Sequence, residues 1–223
     1  MTEDIFLHAD KALVQIYALM AKEFQSLSHQ LGFDELNTLE TSKRVNAMYK
    51  KLDEYIRKQF AVVAREAYRD ACEECGHRPE GFDPDAFVVA MLVAYDPLSD
   101  FIYEREWTRK RDRLFESIIA TERGNQEMRK NLKRGMDVLA NQVRQYADNI
   151  TARARIRAFR DWDADVLVWV TEKDEKVCEI CAPRDEQFYP IELLPDYPAH
   201  WHCRCQLHWV DMEERRRRPP RRQ

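Results

Sequence analysis

Residues 41–75, TSKRVNAMYKKLDEYIRKQFAVVAREAYRDACEEC, decide the fold class. Val45, Met48, Leu52, Ile56, Phe60, Val63 and Ala67 recur at steps of three and four, which places them on one side of an α-helix with charged residues around the rest. No glycine or proline interrupts the run, and Gly76 and Pro79 end it. The spacing predicts one long helix whose stripe is buried.

The same period extends in both directions. Towards the N-terminus, Ile5, Ala9, Leu13, Ile16, Met20, Phe24, Leu27 and Leu31 form a second stripe, with Gly32 as its expected stop. Towards the C-terminus, residues 84–95 read as a buried helix. Asp96 and Pro97 resemble an N-cap and a first helical position, so a further helix is expected from Pro97 to about Glu122, before Gly124. Another carries Met128, Leu132, Met136, Leu139 and Val143 to about Tyr146, and a last short one covers about 150–160. Only 5 glycines in 223 residues suit long helices better than a many-stranded barrel.

The pattern changes at Val166. Residues 166–170, 187–191 and 203–210 are β-prone runs, the last with alternation, and predict a short antiparallel sheet. The expected fold is therefore mainly α, with a small C-terminal α+β module. Residues 1–150 form the helical part, 151–212 a helix plus β module, and 213–223 an arginine-rich tail.

Charge is unevenly distributed. The last nine residues, RRRRPPRRQ, hold Arg215, Arg216, Arg217, Arg218, Arg221 and Arg222 and no acid. Setting those six aside leaves 30 basic residues against 40 acidic ones, so an acidic body carries a basic tail. The tail is too polar to pack, and its arginines are candidates for contact with nucleic acid phosphates or an acidic protein surface. The chain opens with Thr2, Glu3 and Asp4, and its longest apolar run, Phe87 to Tyr95, is far shorter than the roughly 20 residues that span a bilayer. Neither export nor membrane insertion is signalled.

Six cysteines fall into two CxxC pairs and one CxC. In a chain of this size without an export signal, that spacing points to metal or redox chemistry more than to a disulfide framework. CEIC supplies Cys178 and Cys181, and HWHCRC, about twenty residues later, supplies His200, Cys203 and Cys205. A CxxC turn directs both thiolates at one ion, and residues i and i+2 of a strand share a face. Four of these five are the expected ligands of a structural Zn²⁺, with His202 a weaker sixth candidate. Three short strands have too little core to stand alone, and an ion contributing roughly 10–16 kcal/mol to folding would hold them together. Redox activity is disfavoured by the missing βαβ pattern.

Cys72 and Cys75, with His77, form a separate pair. Cys72 continues the apolar stripe of the long helix, so core burial is its expected role, with a second metal half-site as the alternative. Asp161, Asp163, Asp165 and Glu172 imitate the spacing of a calcium loop, but Val166 stands where that loop requires glycine. No GxSxG, phosphate loop, dinucleotide fingerprint or HExxH is present. A metal with four protein ligands has no open position for water, and no enzymatic activity is expected.

Trp169, Asp174, Cys178, Cys181, Phe188, Pro198, His200 and the Cys203-Arg204-Cys205 triplet together resemble the C-terminal signature of phage head morphogenesis proteins of the Mu F-like minor head class. Trp201 stands where that signature has proline after the histidine, and Glu186 where it has glycine. The resemblance spans about 45 residues of the chain. It implies a minor capsid protein, oligomeric in the virion and synthesised in the bacterial cytoplasm. Its implied partners are the portal protein or inner capsid surface, with packaged DNA contacted through the basic tail. It carries over no catalytic residue. A zinc-stabilised DNA-binding or nuclease domain is the alternative reading.

Overall fold

The computed structural model describes residues 4–33, 37–96, 101–121, 126–200 and 202–212. The arginines of the tail lie outside these described residues. Five helices precede a three-stranded antiparallel sheet: α1 (Leu7–Phe33), α2 (Thr38–Glu74), α3 (Pro84–Val93), α4 (Tyr103–Ile119) and α5 (Gln126–Asp161). A two-stranded ribbon, β1 (Tyr95–Asp96) and β2 (Phe101–Ile102), separates α3 from α4. The mainly α class with a small C-terminal sheet agrees with the sequence pattern.

Helix α2 starts where Asn37, in extended backbone, accepts a hydrogen bond from the Glu40 amide through its side chain at 2.8 Å. It ends at Glu74, followed by Gly76 at φ 75°. Its predicted stripe is the centre of the core. Leu52, Ile56, Phe60 and Val63 are fully inaccessible and pack against α1 and α5. Asp83 caps α3 by accepting from the Asp85 and Ala86 amides, and Pro84 occupies the first turn where its missing N–H costs nothing.

Two helix expectations are corrected. Helix α4 begins at Tyr103 and not at Pro97, because Tyr95 and Asp96 pair with Ile102 and Phe101 across an antiparallel ribbon. Further along, α5 runs without a break through residues 146–150, where two helices were expected. Gln145 to Ala152 are eight consecutive buried residues, more than two turns, so packing covers the helix on every side. Asp148 and Asn149, which look like a break in the sequence, lie in this buried stretch, and Gln145 Nε2 donates to Asn149 Oδ1 at 3.0 Å along the helix. The expected limit of the helical part at residue 150 falls inside α5.

The sheet order is β4 (Phe188–Pro190), β3 (Val166–Val170) and β5 (Gln206–Trp209), with β3 central. Leu167 pairs with Tyr189 on one side and Trp209 on the other, and Trp169 pairs with Leu207. Leu167 and Trp169 are fully buried while Val166, Val168 and Val170 are half-buried, which is the period-two pattern of a strand with one face on the core. Strand β5 is shorter than the predicted 203–210 run. Cys203 and Cys205 lie in the irregular segment just before it.

Among the described residues, no helix is long and apolar enough to cross a membrane.

Candidate metal centre

The CxxC element sits in a turn fixed by its own backbone. Asp174 accepts from the Lys176 amide through its carboxylate at 3.0 Å, and the Cys181 and Ala182 amides both reach back to the Cys178 carbonyl, at 3.1 and 2.9 Å. A short 3-10 turn, Ala182–Arg184, then carries the chain towards β4. On the other side of the site, the Cys203 amide donates to the His200 carbonyl at 3.2 Å, with His202 between them at φ 57°. These two turns face each other.

All five sequence-expected ligands converge. His200 Nε2 lies 3.1 Å from Cys178 Sγ and 3.1 Å from Cys181 Sγ, and Cys181 Sγ lies 3.8 Å from Cys203 Sγ. Two groups of three have ligand atoms within 4.8 Å of one another: Cys178, Cys181 and His200, and Cys181, Cys203 and Cys205. Cys181 belongs to both. Cys181, Cys203 and Cys205 are buried, whereas Cys178 and His200 are half-buried at the edge of a cavity of about 30 Å³. Such a cluster could hold a metal ion. His202 is in neither group; its backbone N–H donates to Gln145 Oε1 at 2.8 Å, which pins the module to α5.

Proton positions within the cluster are uneven. A hydrogen bond from the Cys205 thiol holds Cys203 down at about 5 despite burial, and the same bond, with burial, pushes Cys205 well above the ordinary thiol range. Burial pushes Cys181 up to about 12. A divalent cation would displace these shared protons, since metal-bound thiols are deprotonated.

Several residues of the sequence signature prove to be supports. Arg204, between the two cysteines of the CxC, forms a bidentate pair with Asp174, both bonds at 2.8 Å, and so ties the second ligand segment to the turn before the first. Trp169 is fully buried and meets Tyr197 edge-on at 5.2 Å, while the Arg184 guanidinium lies 5.0 Å from its ring centroid. Tyr197 in turn donates its hydroxyl to the Cys205 carbonyl at 2.8 Å.

No family model, curated protein or solved structure matches the chain. Cys178, Cys181, His200, Cys203 and Cys205 form the Cys/His cluster, and Asp174, Arg204, Tyr197 and Trp169 brace it.

The second cysteine pair does something else. Cys72 is fully buried and accepts from the Trp162 indole N–H at 3.2 Å, and His77 stacks on the same indole with ring centroids 4.4 Å apart. Burial pushes Cys75 up to about 12. Neither cysteine belongs to the metal-competent groups found among the described residues. Core burial accounts for Cys72. Of the calcium-like acids, Asp161 accepts from the Tyr68 hydroxyl at 2.9 Å and from Arg157 Nε at 2.7 Å, and β3 begins at Val166.

Sequence reading missed the joint between module and helices. Glu74, the last residue of α2, accepts from the Trp209 amide at 2.6 Å, from the Arg155 guanidinium, and faces His208 Nδ1 at 3.3 Å. Arg155 also donates to the Leu207 carbonyl at 3.3 Å. Three elements distant in sequence, α2, α5 and β5, meet at one half-buried carboxylate. Its residue types carry no local signal, because the partners are separated by 81 and 135 positions.

Proposed function

We propose that this chain is a minor structural protein of a phage head, whose C-terminal module is locked by one structural Zn²⁺. The observation that carries the metal assignment is the convergence of Cys178, Cys181, His200, Cys203 and Cys205, four thiols and one imidazole, in a largely buried cluster. Soft donors of this kind select zinc, and sulfurs bound to a tetrahedral zinc at about 2.3 Å stand roughly 3.8 Å apart. The Cys181 to Cys203 spacing of 3.8 Å matches that edge. Four of the five residues supply the shell, Cys181 among them because it alone belongs to both groups. With the shell filled by protein atoms, the ion acts as a structural brace.

The virion role is supported by the order of Trp169, Asp174, Cys178, Cys181, His200 and Cys203-Arg204-Cys205. In this reading the helical part docks to the portal protein or to the adjacent inner capsid surface, the tail arginines 215–218, 221 and 222 contact packaged DNA, and several copies assemble in each head. The test is a mass-spectrometric inventory of purified virions, with co-purification of the tagged chain and portal protein from infected cells. Detection in heads or portal-containing intermediates is expected; absence from both would overturn the role without touching the metal assignment.

A further inference from the structure

Helices α4 and α5 pack closely where Gly135 faces Leu114: a Cβ added at Gly135 would stand 2.8 Å from Leu114 Cδ1. On the outside of this contact runs a groove of about 420 Å³. One wall is Arg109, Lys110 and Arg113 of α4, and the other presents Arg134 of α5, with Ser117 and Asn131 between them as neutral hydrogen-bonding groups. Its lining has four cations and no acid. In a body with 30 basic residues against 40 acidic ones, that is a local reversal of sign.

Two of the four cations are left over after internal ion pairing among the described residues. Glu106, itself buried, engages Arg109 and lies 3.6 Å from Lys110, offsetting one charge of the four. Arg113 and Arg134 are exposed and make no ion pair among the described residues. Lys110 is held below its ordinary value by burial, with Glu106 opposing and the Arg109 and Arg113 charges aiding. Arginine forks on two walls suit phosphate oxygens spaced along a chain, and the apolar floor of Leu114 and Val138 accommodates sugar edges.

We propose that the α4/α5 groove binds the phosphodiester backbone of nucleic acid, with Arg113 and Arg134 as its principal contacts. It adds a phosphate contact on the body beside the one proposed for the tail arginines. It stands whether or not the chain is a head protein.

The probe is a labelled DNA duplex, titrated with full-length, zinc-loaded protein and followed by fluorescence anisotropy at several salt concentrations. Reversing both charges, Arg113→Glu with Arg134→Glu, should weaken binding at least about tenfold at low salt and lower the slope of log K against log salt by about 2, since each lost phosphate contact removes roughly 0.9. The neutral pair Arg113→Gln with Arg134→Gln should fall between. The same losses should appear in a full-length chain whose six tail arginines are replaced by glutamine. A control pair on α2, Lys50→Glu with Lys58→Glu, changes net charge equally and should lose much less. The proposal is overturned if the groove variants bind as the parent does, if the control pair weakens binding equally, or if removing the tail arginines alone abolishes binding.

Discussion

Replacing Glu74 with glutamine is the sharpest probe of how the metal module is held to the helices. The substitution keeps an oxygen for the Trp209 amide but removes the charge facing Arg155, whose side chain is 5% exposed. Breaking a buried pair from one side leaves the other charge uncompensated, at a cost of about 3–5 kcal/mol. The converse change, Arg155→Met, is milder. Glu74 then keeps His208 and the Trp209 amide and is itself 24% exposed, so the loss is about 1–3 kcal/mol. Acid should expose the same asymmetry. Burial alone would raise the Glu74 carboxyl, but the hydrogen bond from His208 and the Arg155 charge outweigh it and hold the group below its ordinary 4.5. A depressed carboxyl contributes stability above its unfolded value and loses it as pH falls through the folded one, so the gap between parent and Glu74→Gln should narrow below about pH 4.5. Urea unfolding of zinc-loaded protein, followed by tryptophan fluorescence from pH 7 downwards, measures both effects. Equal losses for the two variants, or a Glu74→Gln cost under about 1 kcal/mol, would refute the reasoning.

Two further outcomes follow from buried groups. Cys181→Ser should abolish zinc retention in native mass spectrometry and loosen the module, whereas Cys72→Ser should keep the ion, because Cys72 meets only Trp162 and the helical core; zinc retained by the Cys181 variant would remove the central ligand from the scheme. Asp148, 9% exposed, has its carboxyl pushed up to about 7 by burial, with Arg144 opposing, so the folded chain holds a proton that the unfolded chain releases near 3.8. Stability should therefore fall as pH rises from about 4 to 7, and Asp148→Asn should flatten that fall and gain up to about 4 kcal/mol at neutral pH, as a thermal-melting series would show.

The legible parts of this chain are those in which one side faces the core. The α2 stripe is visible because lysines and glutamates mark its wet faces, and the candidate ligand cluster is visible because a CxxC and an HxxCxC lie close together in one β-prone segment, whereas the isolated Cys72/Cys75 pair on a helix joins no such group among the described residues. Helix α5 was misread where that contrast vanishes: from Gln145 to Ala152 the side facing α1 and α2 and the side facing the module are both covered, so polar Asp148 and Asn149 no longer mark solvent. Cys203 and Cys205 converge on the site although they lie in the irregular segment before β5, not in the strand that the sequence pattern predicts. Glu74 was illegible for a different reason. A carboxylate at a helix end is ordinary in sequence, and only the packing of β5 across α2 and α5 makes it a joint.

Helix α5 links the two candidate sites without coupling their charges. Arg134 and Gln145, on which the His202 amide of the cluster segment is anchored, are 11 positions apart on one continuous helix, roughly 16 Å at about 1.5 Å per residue. That is about twice the Debye length of about 8 Å at physiological salt, so the charge of an ion held there would be largely screened at the groove. Any dependence of phosphate binding on zinc must then pass through packing: an ion held by the cluster would fix His200, Cys203 and Cys205, His202 anchors that segment on Gln145, and β5 closes on Glu74 and Arg155. The groove lies on the far side of the helix's buried stretch, with its own close contact at Gly135 and Leu114. The fold thus separates the Cys/His cluster from the basic groove along a single helix.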